Sequence, residues 1–135
     1  RNGRIHRRST QSVLQCEVFT SSTTGSARGR RDTRYSETLI RNAEGVDVLV
    51  HEVVFGAATT EQQQITSAHT TPEQAAQVFA ASKPKLAVYS HLILFGASAD
   101  DVVAATQKVY TGRVEMGTDL TVIEVGDSIN VRRPK

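Results

Sequence analysis

Residues 46–54 read VDVLVHEVV, a nearly unbroken run of β-branched and aliphatic residues carrying an ionisable pair, His51–Glu52, towards its end. Such a run is the pattern of a strand covered on both faces. A second run of the same kind, KLAVYSHLIL at residues 85–94, carries His91. Between them lies HTTPEQAAQVFAAS at 69–82. There Thr71 is placed as an N-cap, Pro72 at the first helical position and Gln74 as the return partner of a capping box. The helix is expected over 72–82, with Ala75, Ala76, Val78 and Phe79 as its apolar face and Pro84 as its stop. Strand, helix, strand is the unit from which the rest of the chain is read.

Working outward, residues 36–42 (SETLIRN) predict a short helix, with Ser36 as N-cap and Gly45 as terminator. Residues 56–68 are polar and Gln-rich and read as a loop over the strand ends. A further helix is expected from Ser98 or Ala99 to about Tyr110, stopped by Gly112. Three short strands follow at 114–116, 119–125 and 128–131, the last two joined as a hairpin across Gly126–Asp127. The result is a layered α/β arrangement with a mixed sheet and flanking helices.

Composition changes near Asp32. Arg1, Arg4, Arg7, Arg8, Arg28, Arg30 and Arg31 crowd the start, where Glu17 is the only acid. One short apolar run, 13–19, lies there among Arg, Ser, Thr and Gly. Such a segment buries too little apolar surface to offset its ordering entropy. Residues 1–31 are therefore expected to be poorly ordered, a disrupted or truncated start, and residues 32–135 to form the folded unit. The run at 13–19 could cover part of an exposed sheet face as a substitute strand.

The 135 residues suffice for one domain with a real core, and 39% hydrophobic with 22% charged residues is ordinary for a globular chain. Aromatic residues make up 5% and Trp is absent, which argues against stacking platforms for single-stranded nucleic acid. Cys16 is the single cysteine, so no internal disulfide forms. No apolar run approaches the length of a membrane span. A cytoplasmic location is favoured.

Asp32, His51, Glu52, His69 and His91 stand at or near the ends of predicted elements. Each alone has an ordinary role: a turn residue for Asp32, a loop residue for His69, a backbone-bonded half-buried ring for His51 or His91. Buried ionisable groups are nevertheless costly unless paired or ligating. Several of them at separate element ends point to a common site, of the kind a hydrolytic metal centre needs.

The stretch from Asp32 to Asp127 resembles the C-terminal half of metallo-β-lactamase-fold hydrolases, closest to the ribonuclease Z and arylsulfatase-like branch. DTRYSETLI, DVLVHEVV, SAHTTPEQAAQVF, KLAVYSHLIL and DLTVIEVGD carry the likeness in the family's order. The resemblance implies half of a four-layer αββα sandwich. It implies that Asp32 bridges two metal ions, zinc by preference, and that His91 ligates the second. It further implies that His69 assists cleavage as an acid, that Glu52 orients His69, and that His51 belongs to the same His-Glu motif. These roles suit the residue types. A carboxylate can bridge cations about 3.5–4 Å apart, neutral imidazole is a good zinc ligand, and histidine is a ready proton donor.

Two departures bear on activity. Arg31 stands where the family has Gly before the bridging Asp, and no His-x-His-x-Asp-His cluster occurs in the sequence. The expectation is therefore a metal-dependent hydrolase of an ester or phosphodiester whose present chain is inactive alone and binds metal weakly. A small-molecule substrate is favoured over nucleic acid. The rival is a non-catalytic remnant that binds a protein or nucleic-acid partner. Half a sandwich would also leave one face of the two buried strands uncovered, favouring self-association into a homo-oligomer.

Overall fold

The computed structural model describes residues 13–15 and 37–134. Asp32 and the Arg-rich start, like the Ser36 cap, lie outside the described residues, except for a strand at 13–15. Ten elements follow in order: β1 (Val13–Gln15), α1 (Glu37–Ala43), β2 (Val48–Phe55), α2 (Thr60–Ala68), α3 (Pro72–Ser82), β3 (Leu86–Leu94), α4 (Ala99–Gln107), β4 (Val114–Met116), β5 (Val122–Val125) and β6 (Ile129–Arg132).

Strands β1-β2-β3-β4 form one sheet in that order, all parallel, and β5-β6 form a separate antiparallel hairpin. The parallel and antiparallel pairings expected within one mixed sheet are thus divided between two sheets. Of the run at 13–19, the described residues 13–15 extend the sheet edge beside Val48–Val50, and the rest lies outside the described residues.

Alternation along β2 and β3 assigns their two faces. Leu49 and Val53 on β2, with Ala87 and Tyr89 on β3, pack against Ala75, Ala76, Val78 and Phe79 of α3, Ala43 of α1 and Val102 of α4. Val48, Leu86 and Val88 point the other way, onto Ile123, Val125, Ile129 and Val131 of the hairpin. The molecule is therefore layered helix, sheet, hairpin. The face expected to lie bare is capped in its first half by the chain's own hairpin, so Val48, Leu86 and Val88 are buried. Farther along β3, where the hairpin ends, Ser90 and His91 are exposed and Leu92 to Leu94 are half-buried.

The helices follow their caps. Thr71 accepts from the Gln74 backbone N–H and Gln74 returns a bond to the Thr71 N–H, as the capping box predicts. Lys83 closes α3 in the left-handed region, at φ 52°. Residues 60–68, expected as loop, are the helix α2, capped by Thr59 and Gln62 in the same way. It buries no residue, which is why no apolar periodicity announced it. Helix α4 ends at Gln107, earlier than expected, and Gly112 serves a different purpose: a Cβ there would run into the Tyr110 ring. Among the described residues, no helix is long and apolar enough to cross a membrane.

Candidate functional site

Parallel α/β sheets place functional groups beyond the carboxyl ends of their strands. On β2 the backbone carries His51 and Glu52 to opposite faces. His51 turns to the helices, is 1% exposed and meets Phe79 edge-on at 5.9 Å between centroids. Its Nδ1 lies 2.7 Å from the Glu52 carbonyl oxygen. A carbonyl only accepts, so Nδ1 carries the hydrogen. Burial pushes the imidazole below its ordinary pKa, against the weaker opposing pull of that hydrogen bond and of the Glu52 charge. His51 is a neutral ring that ties down the backbone of its neighbour.

Glu52 is buried too, at 2% exposure. Its Oε2 accepts from His69 Nδ1 at 2.6 Å and its Oε1 from the Thr70 backbone N–H at 3.1 Å. A buried carboxylate is tolerable only with such partners. The loop after α2 is itself stitched to the sheet, because the Val54 N–H donates to the Thr70 carbonyl at 2.9 Å. His69 and Thr70 are therefore presented to Glu52 by backbone as well as side chain. With Nδ1 occupied, Nε2 is the nitrogen His69 has to offer.

A β-bulge brings His91 to the same place. His51 pairs with Tyr89 and Val53 with Leu92, so Glu52 alone faces two residues, Ser90 and His91. His91 adopts a positive φ of 52°. A non-glycine residue held there is uncommon and is favoured at bulges and functional sites. One donor atom each from Glu52, His69 and His91 lies within 4.8 Å of the others, and the two imidazoles stand 6.0 Å apart. His91 also lines an open cleft of about 490 Å³ bounded by Val50, Val88, Ser90, Thr118, Asp119 and Ile123.

Of the five residues singled out from sequence, three are thus brought together. His51 sits behind them on the other face of β2, and Asp32 lies outside the described residues. Sequence reasoning missed Thr70, whose contribution is a backbone N–H and leaves no side-chain signal. It also missed the 117–121 loop, the far wall of the cleft. Gly117 there was a readable sign: its N–H donates to the Tyr89 carbonyl at 2.7 Å, and a Cβ would stand 2.8 Å from that oxygen.

No protein-family model matches the chain. Ribonuclease Z of Methanothermobacter thermautotrophicus is 30% identical over 94 residues, covering 70% of this chain and 30% of the relative. Ribonuclease Z of Haloarcula marismortui is 32% identical over 102 residues, covering 70% and 32%. That of Anoxybacillus flavithermus is 41% identical over 61 residues, covering 45% and 19%. Among solved structures, the metallo-beta-lactamase fold protein YhfI from Bacillus subtilis superimposes with a TM-score of 0.51 at 19% identity, over 62% of this chain and 33% of that one. The chain spans about a third or less of the length of the curated relatives it matches.

The chain carries the C-terminal part of the metallo-β-lactamase fold. Within that fold its sequence is similar to ribonuclease Z.

Proposed function

We propose that this chain supplies the proton-transfer side, and part of the metal-binding side, of a hydrolase that cleaves a phosphodiester. The observation that carries the reading is the 2.6 Å contact between His69 and the buried Glu52, set beside His91 at the edge of an open cleft. Glu52 holds the His69 ring through Nδ1, and Nε2 is the nitrogen left to serve a departing oxygen in proton transfer. Thr70 keeps the carboxylate from rotating. His51 fixes the backbone from which Glu52 projects.

Asp32 and His91 are assigned as metal ligands, and His91, an exposed imidazole at the cleft, has the donor chemistry zinc takes. Divalent ions at such a centre supply an activated water and polarise the ester under attack. The relatives' name, ribonuclease Z, moves the favoured substrate from a small-molecule ester towards an RNA phosphodiester. A carboxylic or sulfate ester is the alternative substrate for the same site.

The test is hydrolysis of bis(4-nitrophenyl) phosphate and of a structured RNA by the full-length gene product supplied with Zn²⁺. Cleavage of both is expected. Losing the acid should slow turnover by about 10²–10⁴-fold in His69→Ala, and His91→Ala should remove turnover. Activity that survives His69→Ala unchanged overturns the assignment. Cleavage of carboxylic or sulfate esters with both phosphodiesters untouched overturns the substrate.

A further inference from the structure

Glu52, His69 and His91 come from three separate elements, yet their donor atoms converge within 4.8 Å. Two imidazoles and a carboxylate form a three-ligand set that zinc uses where a fourth position stays open. Ligands of a tetrahedral zinc at about 2.0–2.1 Å stand about 3.3 Å from one another, and two imidazoles on one such ion have centroids about 5 Å apart. The centroids here are 6.0 Å apart. Closing that gap needs a shift of about 1 Å, within reach of side-chain rotation alone.

The surroundings suit a cation. Side-chain exposure is 3% for Glu52 and 17% for His69, so the cradle is largely dehydrated. His91 is exposed and borders the cleft, which gives an entry path and leaves room for a fourth ligand. Oε1 of Glu52 is already anchored by the Thr70 N–H, an outer contact that orients a ligating carboxylate.

We propose that Glu52, His69 and His91 bind one divalent cation of the zinc class as a site in its own right, without Asp32. The short contact between His69 Nδ1 and Glu52 Oε2 is what the cation replaces. The ring hydrogen passes to Nε2, both atoms turn to the ion, and their separation opens from 2.6 Å to about 3.3 Å. No net proton is released by a neutral ring. This differs from the pairing of Asp32 with His91, in which His69 is a proton donor and never a ligand. One consequence rests on the reaction proposed above: an ion held here removes His69 from proton transfer and His91 from its pairing with Asp32, so excess zinc inhibits cleavage. Binding itself does not rest on that reading.

The experiment is calorimetric titration of the chain with Zn²⁺, repeated with Co²⁺ and followed by visible absorption. One ion per chain with a four- or five-coordinate Co²⁺ spectrum is expected. His69→Ala, Glu52→Gln and His91→Ala should each weaken binding by more than about tenfold, and Asp127→Asn, an exposed carboxylate in the hairpin turn outside the cleft lining, should leave it unchanged. Glu52→Gln keeps an oxygen for the Thr70 N–H, and His91 is exposed, so thermal melts of these variants should match the parent. Unchanged affinity in His69→Ala overturns the site, as does the absence of measurable binding. Neither result touches the proposed reaction, whose failure is read by hydrolysis.

Discussion

Phe79 is the side chain on which the back of the site rests, and truncating it gives a sharp test of the packing. It is fully buried, with ring centroids 5.9 Å from His51, 5.5 Å from Tyr89 and 5.6 Å from Tyr110. Phe79→Ala removes the ring from a core that cannot collapse onto it without moving β2, β3 and α3 together. Such a change costs about 3–5 kcal/mol, a large share of a domain's stability of about 5–15 kcal/mol. Phe79→Leu keeps much of the volume and loses the aromatic pairs, each contributing about 0.5–1.5 kcal/mol. The leucine variant should therefore cost about 1–3 kcal/mol. Urea unfolding followed by circular dichroism measures both. A loss below about 1 kcal/mol for the alanine variant, or leucine as costly as alanine, would refute the packing described for α3 on the sheet.

Asp101 accepts from the backbone N–H and the hydroxyl of Ser98, both at 2.8 Å, and these bonds, the backbone one first, hold its carboxyl below the ordinary 3.8. A folded value below the unfolded one means the stabilisation is complete above 3.8 and is lost as pH falls through the folded value. Amide exchange in the first turn of α4 should therefore speed up relative to an Asp101→Asn variant as pH falls from about 5 to about 2; equal pH dependence in the two proteins would contradict the cap. Gly56 has φ +88°, and a Cβ there would stand 2.5 Å from the Phe95 carbonyl oxygen. Gly56→Ala should cost about 1–3 kcal/mol, whereas Gly45→Ala, at φ +66° with nothing within 4 Å, should cost about 1–2 kcal/mol. Equal melting temperatures for the Gly56 variant and its parent would count against that close approach.

The strand-helix-strand unit was legible because its signals agree: two apolar runs, a capping box at Thr71 and Gln74, and Pro84 beyond the end. Helix α2 was hidden because it packs nothing. Its one sign, Thr59 with Gln62 three residues on, is a capping box without the apolar face that usually accompanies it. The hairpin's role as a lid over Val48, Leu86 and Val88 was hidden too, since alternation shows which residues face together and not what covers them. Glu52, His69 and His91 were readable as a group only through charge at strand ends and a family likeness. What unites Glu52 and His91 is a bulge whose extra residue is a histidine in the left-handed region. Neither Ser90 nor His91 is a glycine, the residue type that announces such a turn most plainly. Asp32 was assigned from the likeness alone.

Proton transfer at this site depends on Glu52 acting through His69, and a double-mutant cycle on phosphodiester cleavage by the full-length gene product measures that dependence. His69→Ala, Glu52→Gln and the double variant are compared by kcat with bis(4-nitrophenyl) phosphate. Residues that work as one unit are strongly non-additive. The double variant should be no slower than His69→Ala alone, within about a factor of two. Effects that multiply, leaving the double variant slower by the product of the two single losses, would show that the carboxylate and the imidazole act independently and would contradict the account.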